Sequence, residues 1–88
     1  MNRLEEAPNI GAVLAERLRA VGITTLDRLQ EVGAEAAWEQ LGQIDPDWGC
    51  VPALLALAGA TKGVRWMALP EEERRHLRRF AHERGGRA

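Results

Sequence analysis

Residues 8–33, PNIGAVLAERLRAVGITTLDRLQEVG, determine the fold that this sequence predicts. Apolar residues recur at helical spacing over residues 14–21, so a first helix has one apolar face. Gly22 stands where a left-handed residue would end that helix. Thr24 with Asp27 three residues later is typical of the start of a second helix. The stretch therefore predicts two helices joined by a tight turn.

Three further helices are predicted after this pair. Residues 34–41 form the first of them, and Gly42 is expected to end it. Residues 50–62, CVPALLALAGATK, are apolar nearly all round, which predicts the central and most buried helix. The last helix is expected to start after Pro70 and to reach about residue 84. Trp66, in the connection before it, is expected to pack into the core.

Length and composition set the class of the protein. The chain has 88 residues, enough for a single domain over residues 1–88. It has no Tyr and one Phe, and no alternating run of β-branched residues. The prediction is an all-α protein, a compact bundle of about five short helices that contains a helix-hairpin-helix-like motif. Residues 1–7 and 85–88 are expected to be flexible.

Cysteine content and hydropathy bear on the compartment. The single cysteine allows no internal disulfide and suits a reducing environment. The longest apolar run, residues 51–60, is too short to span a bilayer, and the start MNRLEE does not resemble a signal peptide. A cytoplasmic protein without membrane contact is expected.

The net charge of −1 conceals an asymmetry between the two halves of the chain. Residues 1–50 carry four Arg and nine Asp or Glu, which gives −5. Residues 51–88 carry eight Lys or Arg and four Glu, which gives +4. An anionic partner should therefore prefer the second half.

Two segments share a pattern of Pro, Asn or Asp, an apolar residue, and Gly. They are residues 8–11 (PNIG) and residues 46–49 (PDWG), and each precedes a helix. One interpretation is an internal duplication with two similar hairpins. The other is chance repetition, since turn-forming residues recur often.

The sequence resembles the C-terminal domain of the TfoX/Sxy family, regulators linked to natural competence in bacteria. The resemblance extends from residue 8 to residue 70 in matching order and spacing. It is carried by Pro8-Asn9-Ile10-Gly11, Leu14-Ala15, Leu18, Gly22-Ile23-Thr24-Thr25-Leu26, Val32-Gly33-Ala34, Ala37-Trp38, Ile44-Asp45-Pro46, Leu57, Gly59-Ala60, Gly63-Val64-Arg65-Trp66 and Leu69-Pro70.

The resemblance implies a helical fold of the helix-hairpin-helix type and a role in transcriptional control. Full-length members carry a separate N-terminal domain, whereas the motif here begins close to Met1. The chain is therefore expected to be a stand-alone copy of the C-terminal domain. A separate chain resembling the TfoX N-terminal domain, or another regulatory protein, becomes a candidate partner.

The turn before the first helix is one candidate site. In DNA-binding helix-hairpin-helix modules, backbone N–H groups at this place hold a phosphate without reading sequence. The other interpretation is a purely structural hairpin, because acidic residues surround it. The candidate contact residues for a phosphate, DNA or a partner are Asn9, Gly11, Ala12, Arg17 and Arg19.

The last helix is a second candidate site for DNA or an acidic partner. Its first turn is acidic and its later turns are basic, an order that the helix dipole favours, so a purely solvated helix is the other interpretation. Glu71 and Arg75 form an i,i+4 pair. The candidate contact residues are Arg74, Arg75, Arg78 and Arg79.

No catalytic constellation is evident, so the chain is predicted not to be an enzyme and to need no cofactor or metal. Cys50 has no neighbouring base and is expected to be a small buried residue. His76 and His82 fall on different helix faces. Trp48 is the tryptophan expected at the surface, where it could meet a partner.

Two classes of function remain after these exclusions. One is a non-catalytic regulatory module with weak, non-specific DNA binding. The alternative is a protein–protein interaction module without nucleic-acid contact.

Overall fold

The computed structural model describes residues 3–87, which form five α-helices and three short 3₁₀ helices without a β-strand. The α-helices are α1 (Ala12–Ala20), α2 (Leu26–Val32), α3 (Ala34–Ile44), α4 (Val51–Lys62) and α5 (Glu71–Glu83). The 3₁₀ helices are Leu4–Glu6, Pro46–Trp48 and Trp66–Ala68. The predicted all-α bundle of five short helices is confirmed. The helix-hairpin-helix character of the α1–α2 pair stays a prediction.

Helix α4 lies at the centre of the bundle, as its all-round apolar pattern predicts. Leu54 and Leu57 are completely buried, and the helix packs against both α3 and α5. Pro52 occupies the first turn, where its missing N–H costs no helical hydrogen bond. Gly59 is buried as well, so neighbouring backbone can approach α4 closely.

The turn between α1 and α2 is a Schellman motif, which confirms the prediction for Gly22. The N–H of Ile23 donates to the carbonyl of Leu18 at 2.9 Å, and that of Gly22 donates to the carbonyl of Arg19 at 3.0 Å. Gly22 has a φ of 85°, which glycine adopts without strain. Leu18 and Ile23 are both buried, so the turn also fixes a core contact.

Two helix boundaries differ from the sequence prediction. The residue that caps α2 is Thr25 rather than Thr24, and its hydroxyl accepts a backbone N–H at 3.1 Å. Helix α3 passes through Gly42 and ends just before Asp45. Asp45 is extended because it precedes Pro46, and a residue before proline avoids the helical conformation. Proline, not glycine, therefore ends α3.

The prediction that Trp66 packs into the core is wrong. Its side chain is 36% exposed, and the neighbouring Met67 is 62% exposed. Leu69, which follows the same 3₁₀ helix, is 2% exposed and supplies the core contact. Leu69 is therefore the fully buried apolar side chain at the end of this connection, while Trp66 and Met67 are exposed.

Both ends of the described chain form hydrogen bonds. The N–H of Ala7 donates to the carbonyl of Leu4 at 3.0 Å. At the other end, Arg87 donates its N–H to Gly49 at 3.0 Å and accepts from the N–H of Val51 at 2.7 Å. The flexibility predicted for residues 1–7 and 85–88 stays a prediction, and residues 1, 2 and 88 lie outside the described part.

The PNIG and PDWG segments have different backbones. Asn9 has a φ of 72°, the one positive value at a non-glycine position within residues 3–87. Pro46–Trp48 instead forms a 3₁₀ helix. The shared residue pattern therefore does not produce a shared turn, and the structure gives the duplication no support.

Candidate functional site

The turn before α1 is held in place by the side chain of Asn9. Its Nδ2 donates to the carbonyl oxygens of Val64 at 3.1 Å and Ala56 at 3.3 Å. Its Oδ1 accepts the backbone N–H of Trp66 at 3.3 Å. This arrangement, the Asn9 clamp, ties the turn to α4 and to the connection that follows it. Both polar atoms of the Asn9 side chain, a predicted contact residue, therefore already form hydrogen bonds within the protein.

The other two hairpin candidates, Gly11 and Ala12, lie at the exposed start of α1. Gly11 is the N-cap residue, and the first helical hydrogen bond runs from the N–H of Ala15 to its carbonyl at 3.0 Å. The N–H groups of the first turn have no acceptor within the helix and can face a ligand. Gly11 has a φ of −92°, and a Cβ there would meet nothing within 4 Å, so this position does not require glycine.

Arg17 and Arg19, the basic residues nearest the hairpin, both form ion pairs with acidic residues of other elements. Nε of Arg17 lies 3.2 Å from Oδ2 of Asp45, beyond the end of α3. Nη2 of Arg19 lies 2.8 Å from Oε1 of Glu5, in the first 3₁₀ helix. These pairs cancel the positive charge that a phosphate at the hairpin would need.

The bond to Arg19 sets the protonation of Glu5. The side-chain hydrogen bond from Arg19, assisted by a backbone hydrogen bond, lowers the pKa of Glu5 from 4.5 to about 2. The same hydrogen bond raises the pKa of Arg19. Because the pKa of Glu5 is lower in the folded state, the pair stabilises the fold fully above pH 4.5, and this contribution is lost as the pH falls through about 2.

We expect an NMR titration to give Glu5 a pKa near 2 and Arg19→Gln to return it towards 4.5. The matched control is Arg28→Gln, which removes an arginine that pairs with Glu31 instead and should leave the Glu5 pKa unchanged. A Glu5 pKa near 4.5 in the unmodified protein would contradict the pairing.

Helix α5 presents a basic face to solvent. Arg75, Arg78 and Arg79 are exposed and share one side of the helix at i, i+3 and i+4, opposite the buried Leu77 and Ala81. We call these three arginines the α5 basic face. Of these three, Arg75 alone forms an ion pair in the described structure. Its Nη2 lies 3.6 Å from Oε2 of Glu71, one turn earlier.

Arg74 differs from the other arginines predicted on α5. Its side chain is half-buried, and its Nε is buried without a hydrogen-bond partner in the described structure. A half-buried side chain with a buried Nε is poorly placed to meet a large anionic partner. The structure therefore separates Arg74 from the α5 basic face.

Cys50 and His76, which were considered for catalysis or metal binding, form hydrogen bonds within the fold. Cys50, expected to be buried, is half-buried, and its carbonyl accepts the indole N–H of Trp38 at 3.0 Å. His76 lies 3.2 Å from a carboxylate oxygen of Glu35. Within residues 3–87, no group of three His, Cys, Asp or Glu side chains is placed to hold a metal ion.

A groove of about 640 Å³ beside the start of α1 was not predicted. It is bounded by α1, by the 3₁₀ helix Pro46–Trp48 and by the first half of α4, and we call it the Val13–Trp48 groove. Val13 is 60% exposed and Trp48 is half-buried there. One sequence feature indicated this groove, because Trp48 was expected near the surface. The residues that lie beside Trp48 in the fold could not be identified from the sequence.

These features define a class, a small all-α domain with a turn before α1 that is held by Asn9, a basic face on α5 and an apolar groove. The chain belongs to the TfoX C-terminal domain family, whose pattern matches residues 1–81. Membership indicates a module similar to those of competence regulators. Among residues 3–87, no helix is both long and apolar enough to cross a membrane.

Two solved structures from Listeria monocytogenes share the fold. A triclinic crystal form of an uncharacterized protein is 37% identical, has a TM-score of 0.92, and matches over 99% of this chain and 97% of its own. A tetragonal form of a protein of unknown function is 37% identical, with a TM-score of 0.88 and coverage of 92% and 98%. No match was found among curated proteins.

Proposed function

We propose that this chain is a non-catalytic regulatory module that contacts duplex DNA weakly and without sequence preference, in the cytoplasm, as part of transcriptional control. Family membership supports the regulatory role. The observation that carries the DNA contact is the contrast between two sets of arginines. Arg17 and Arg19 are neutralised by acidic partners, whereas Arg78 and Arg79 are exposed and have no ion pair in residues 3–87.

The expected affinity follows from the number of free charges. Each phosphate that a basic side chain neutralises contributes about −0.9 to the slope of log affinity against log salt. The two arginines of the α5 basic face that are unpaired within the described residues would therefore give a slope of about −2, and the slope would reach about −3 if Arg75 also contacts a phosphate. Binding should fall within the usual non-specific range of about 10⁻⁴–10⁻⁶ M.

We expect Arg78→Glu with Arg79→Glu to abolish binding of a fluorescent DNA duplex, measured by anisotropy at low salt. The reversed charges would repel the phosphates, and both side chains are exposed, so the fold should persist. The matched control is the double variant Arg3→Glu with Arg28→Glu. It changes the net charge by the same amount as the α5 variant, at exposed positions outside α5.

A different outcome would move the DNA site to the hairpin. Nanomolar, sequence-selective binding that survives the α5 substitutions and is lost in Gly11→Glu would overturn this assignment. The hairpin would then be the DNA-binding site, through the N–H groups at the start of α1.

The alternative function is a protein–protein interaction module without nucleic-acid contact. The net charge of −5 over residues 1–50 and the Val13–Trp48 groove favour it. Its partner would be a chain resembling the TfoX N-terminal domain or another regulatory protein. Absence of any DNA binding at about 10⁻⁴ M, the weak end of the non-specific range, would select this alternative.

A further inference from the structure

The Val13–Trp48 groove has the shape of a docking site for apolar side chains. Its volume of about 640 Å³ lies within the range of about 300–1,000 Å³ that is usual for ligand pockets. Small residues, among them Ala12, Ala53 and Ala56, form part of its wall. Because these side chains are short, a partner's large side chain can reach the backbone of α1 and α4.

Two apolar side chains of the groove are exposed to solvent. Val13 is 60% exposed although it lies in the first turn of α1, and Pro52 is exposed in the first turn of α4. Trp48, which lines the same groove, is half-buried. A partner that covers these side chains would remove apolar surface from water, and each Å² buried contributes about 25 cal/mol.

Charges at the rim of the groove restrict the chemistry of its partner. Arg17 and Asp45 neutralise each other at 3.2 Å. Asp47, whose side chain is 89% exposed, pairs with Arg87 at 3.6 Å. Glu16, next to Arg17 on α1, is 78% exposed and lies 4.0 Å from Nη1 of Arg17. Three carboxylates, Glu16, Asp45 and Asp47, thus stand against two arginines, Arg17 and Arg87, and the net charge of −1 favours a basic partner over the phosphates of nucleic acids or anionic lipids.

We infer that the Val13–Trp48 groove binds an amphipathic segment of another protein, with one or two large apolar side chains flanked by Lys or Arg. The apolar side chains enter between Val13 and Trp48, and a basic side chain meets Asp47. This inference rests on the interaction role proposed above, but not on DNA contact, because the groove and the α5 basic face are formed by different helices. A contact of this size is expected to be transient, with a Kd of about 10⁻³–10⁻⁶ M.

The probe that tests this inference is a synthetic helical peptide with Leu along one face and Lys on the other. We expect its addition to shift amide NMR signals of the first turns of α1 and the indole signal of Trp48, and to leave those of α5 in place. A peptide of the same composition with Leu spread around the helix, and one with Glu in place of Lys, should bind at least about tenfold more weakly.

Variants locate the site on the protein. Val13→Asp and Asp47→Lys should each weaken binding of the Leu/Lys peptide at least about tenfold. Ala20→Asp adds the same charge to an exposed position of α1 away from the groove and should keep the affinity within about twofold. Both substituted side chains of the groove are exposed, and unchanged melting temperatures would verify that the fold is intact.

Three outcomes would overturn the inference: equal affinity for all three peptides, an unchanged affinity in Val13→Asp, or peptide-induced shifts centred on another surface. Val13-dependent binding to anionic vesicles would replace the protein partner with a membrane. Failure of the proposed DNA contact would be a separate result. Val13→Asp should not alter DNA binding measured by anisotropy, and Arg78→Glu with Arg79→Glu should not alter peptide binding.

Discussion

Replacing Leu57 by alanine is expected to lower the free energy of unfolding by about 2–5 kcal/mol. Leu57 is completely buried at the centre of α4, so the substitution removes apolar contacts and leaves a cavity. A domain of this size has a total stability of about 4–13 kcal/mol, and the loss is a large part of it. Urea unfolding should show a lower midpoint at an unchanged slope.

The matched control for this substitution is Met67→Ala, because Met67 is 62% exposed. It should cost no more than about 0.5 kcal/mol. If Leu57→Ala does not fold at all, Leu57→Met keeps the volume and should cost less than about 1.5 kcal/mol. A cost below about 0.5 kcal/mol for Leu57→Ala would show that α4 is not the core helix.

Gly59→Ala is expected to destabilise the protein by about 1–3 kcal/mol, although alanine is the better helix former. A Cβ at this position would lie 2.6 Å from Nδ2 of Asn9 and 2.6 Å from the carbonyl oxygen of Val64. Real side chains do not come this close, so the Asn9 clamp has to shift. Its hydrogen bonds would lengthen, which costs about 1 kcal/mol for each bond lost.

Two further variants isolate the cause of this loss. Gly11→Ala adds a methyl group where nothing lies within 4 Å, so it should cost no more than the roughly 1 kcal/mol by which alanine is the poorer N-cap residue. Asn9→Ala removes the clamp directly. The double variant Asn9→Ala with Gly59→Ala should cost less than the sum of its parts, because both remove the same contacts. Full additivity, or an unchanged midpoint for Gly59→Ala, would contradict the clamp.

Much of the helical architecture could be predicted from sequence because its signals are local. The end of α1 depends on a left-handed residue at Gly22 and on an apolar residue directly after it, which lie close together in the chain. The burial of α4 follows from its nearly unbroken apolar run. Errors arose where two local signals competed, as at Gly42, where the restriction before Pro46 decided the boundary instead.

The candidate site was less predictable because its geometry depends on residues distant in sequence. The clamp joins Asn9 to residues 47, 55 and 57 positions away. The pairing of Arg17 with Asp45 spans 28 positions. No local pattern marks these partners, so the sequence indicated acidic residues around the hairpin but not which of them pairs with each arginine. The groove was not predicted for the same reason, because α1 is distant in the sequence from the other two elements that form it.

The bridge between Arg87 and the start of α4 has a practical consequence for labelling. Besides its backbone bonds to Gly49 and Val51, Arg87 donates from its side chain to the carbonyl of Pro46 at 3.0 Å. Any tag or dye joined beyond this residue therefore emerges beside the rim that carries Asp47. A bulky purification tag there would obstruct the opening, whereas an environment-sensitive fluorophore on a short tether would serve as an optical sensor of its occupancy.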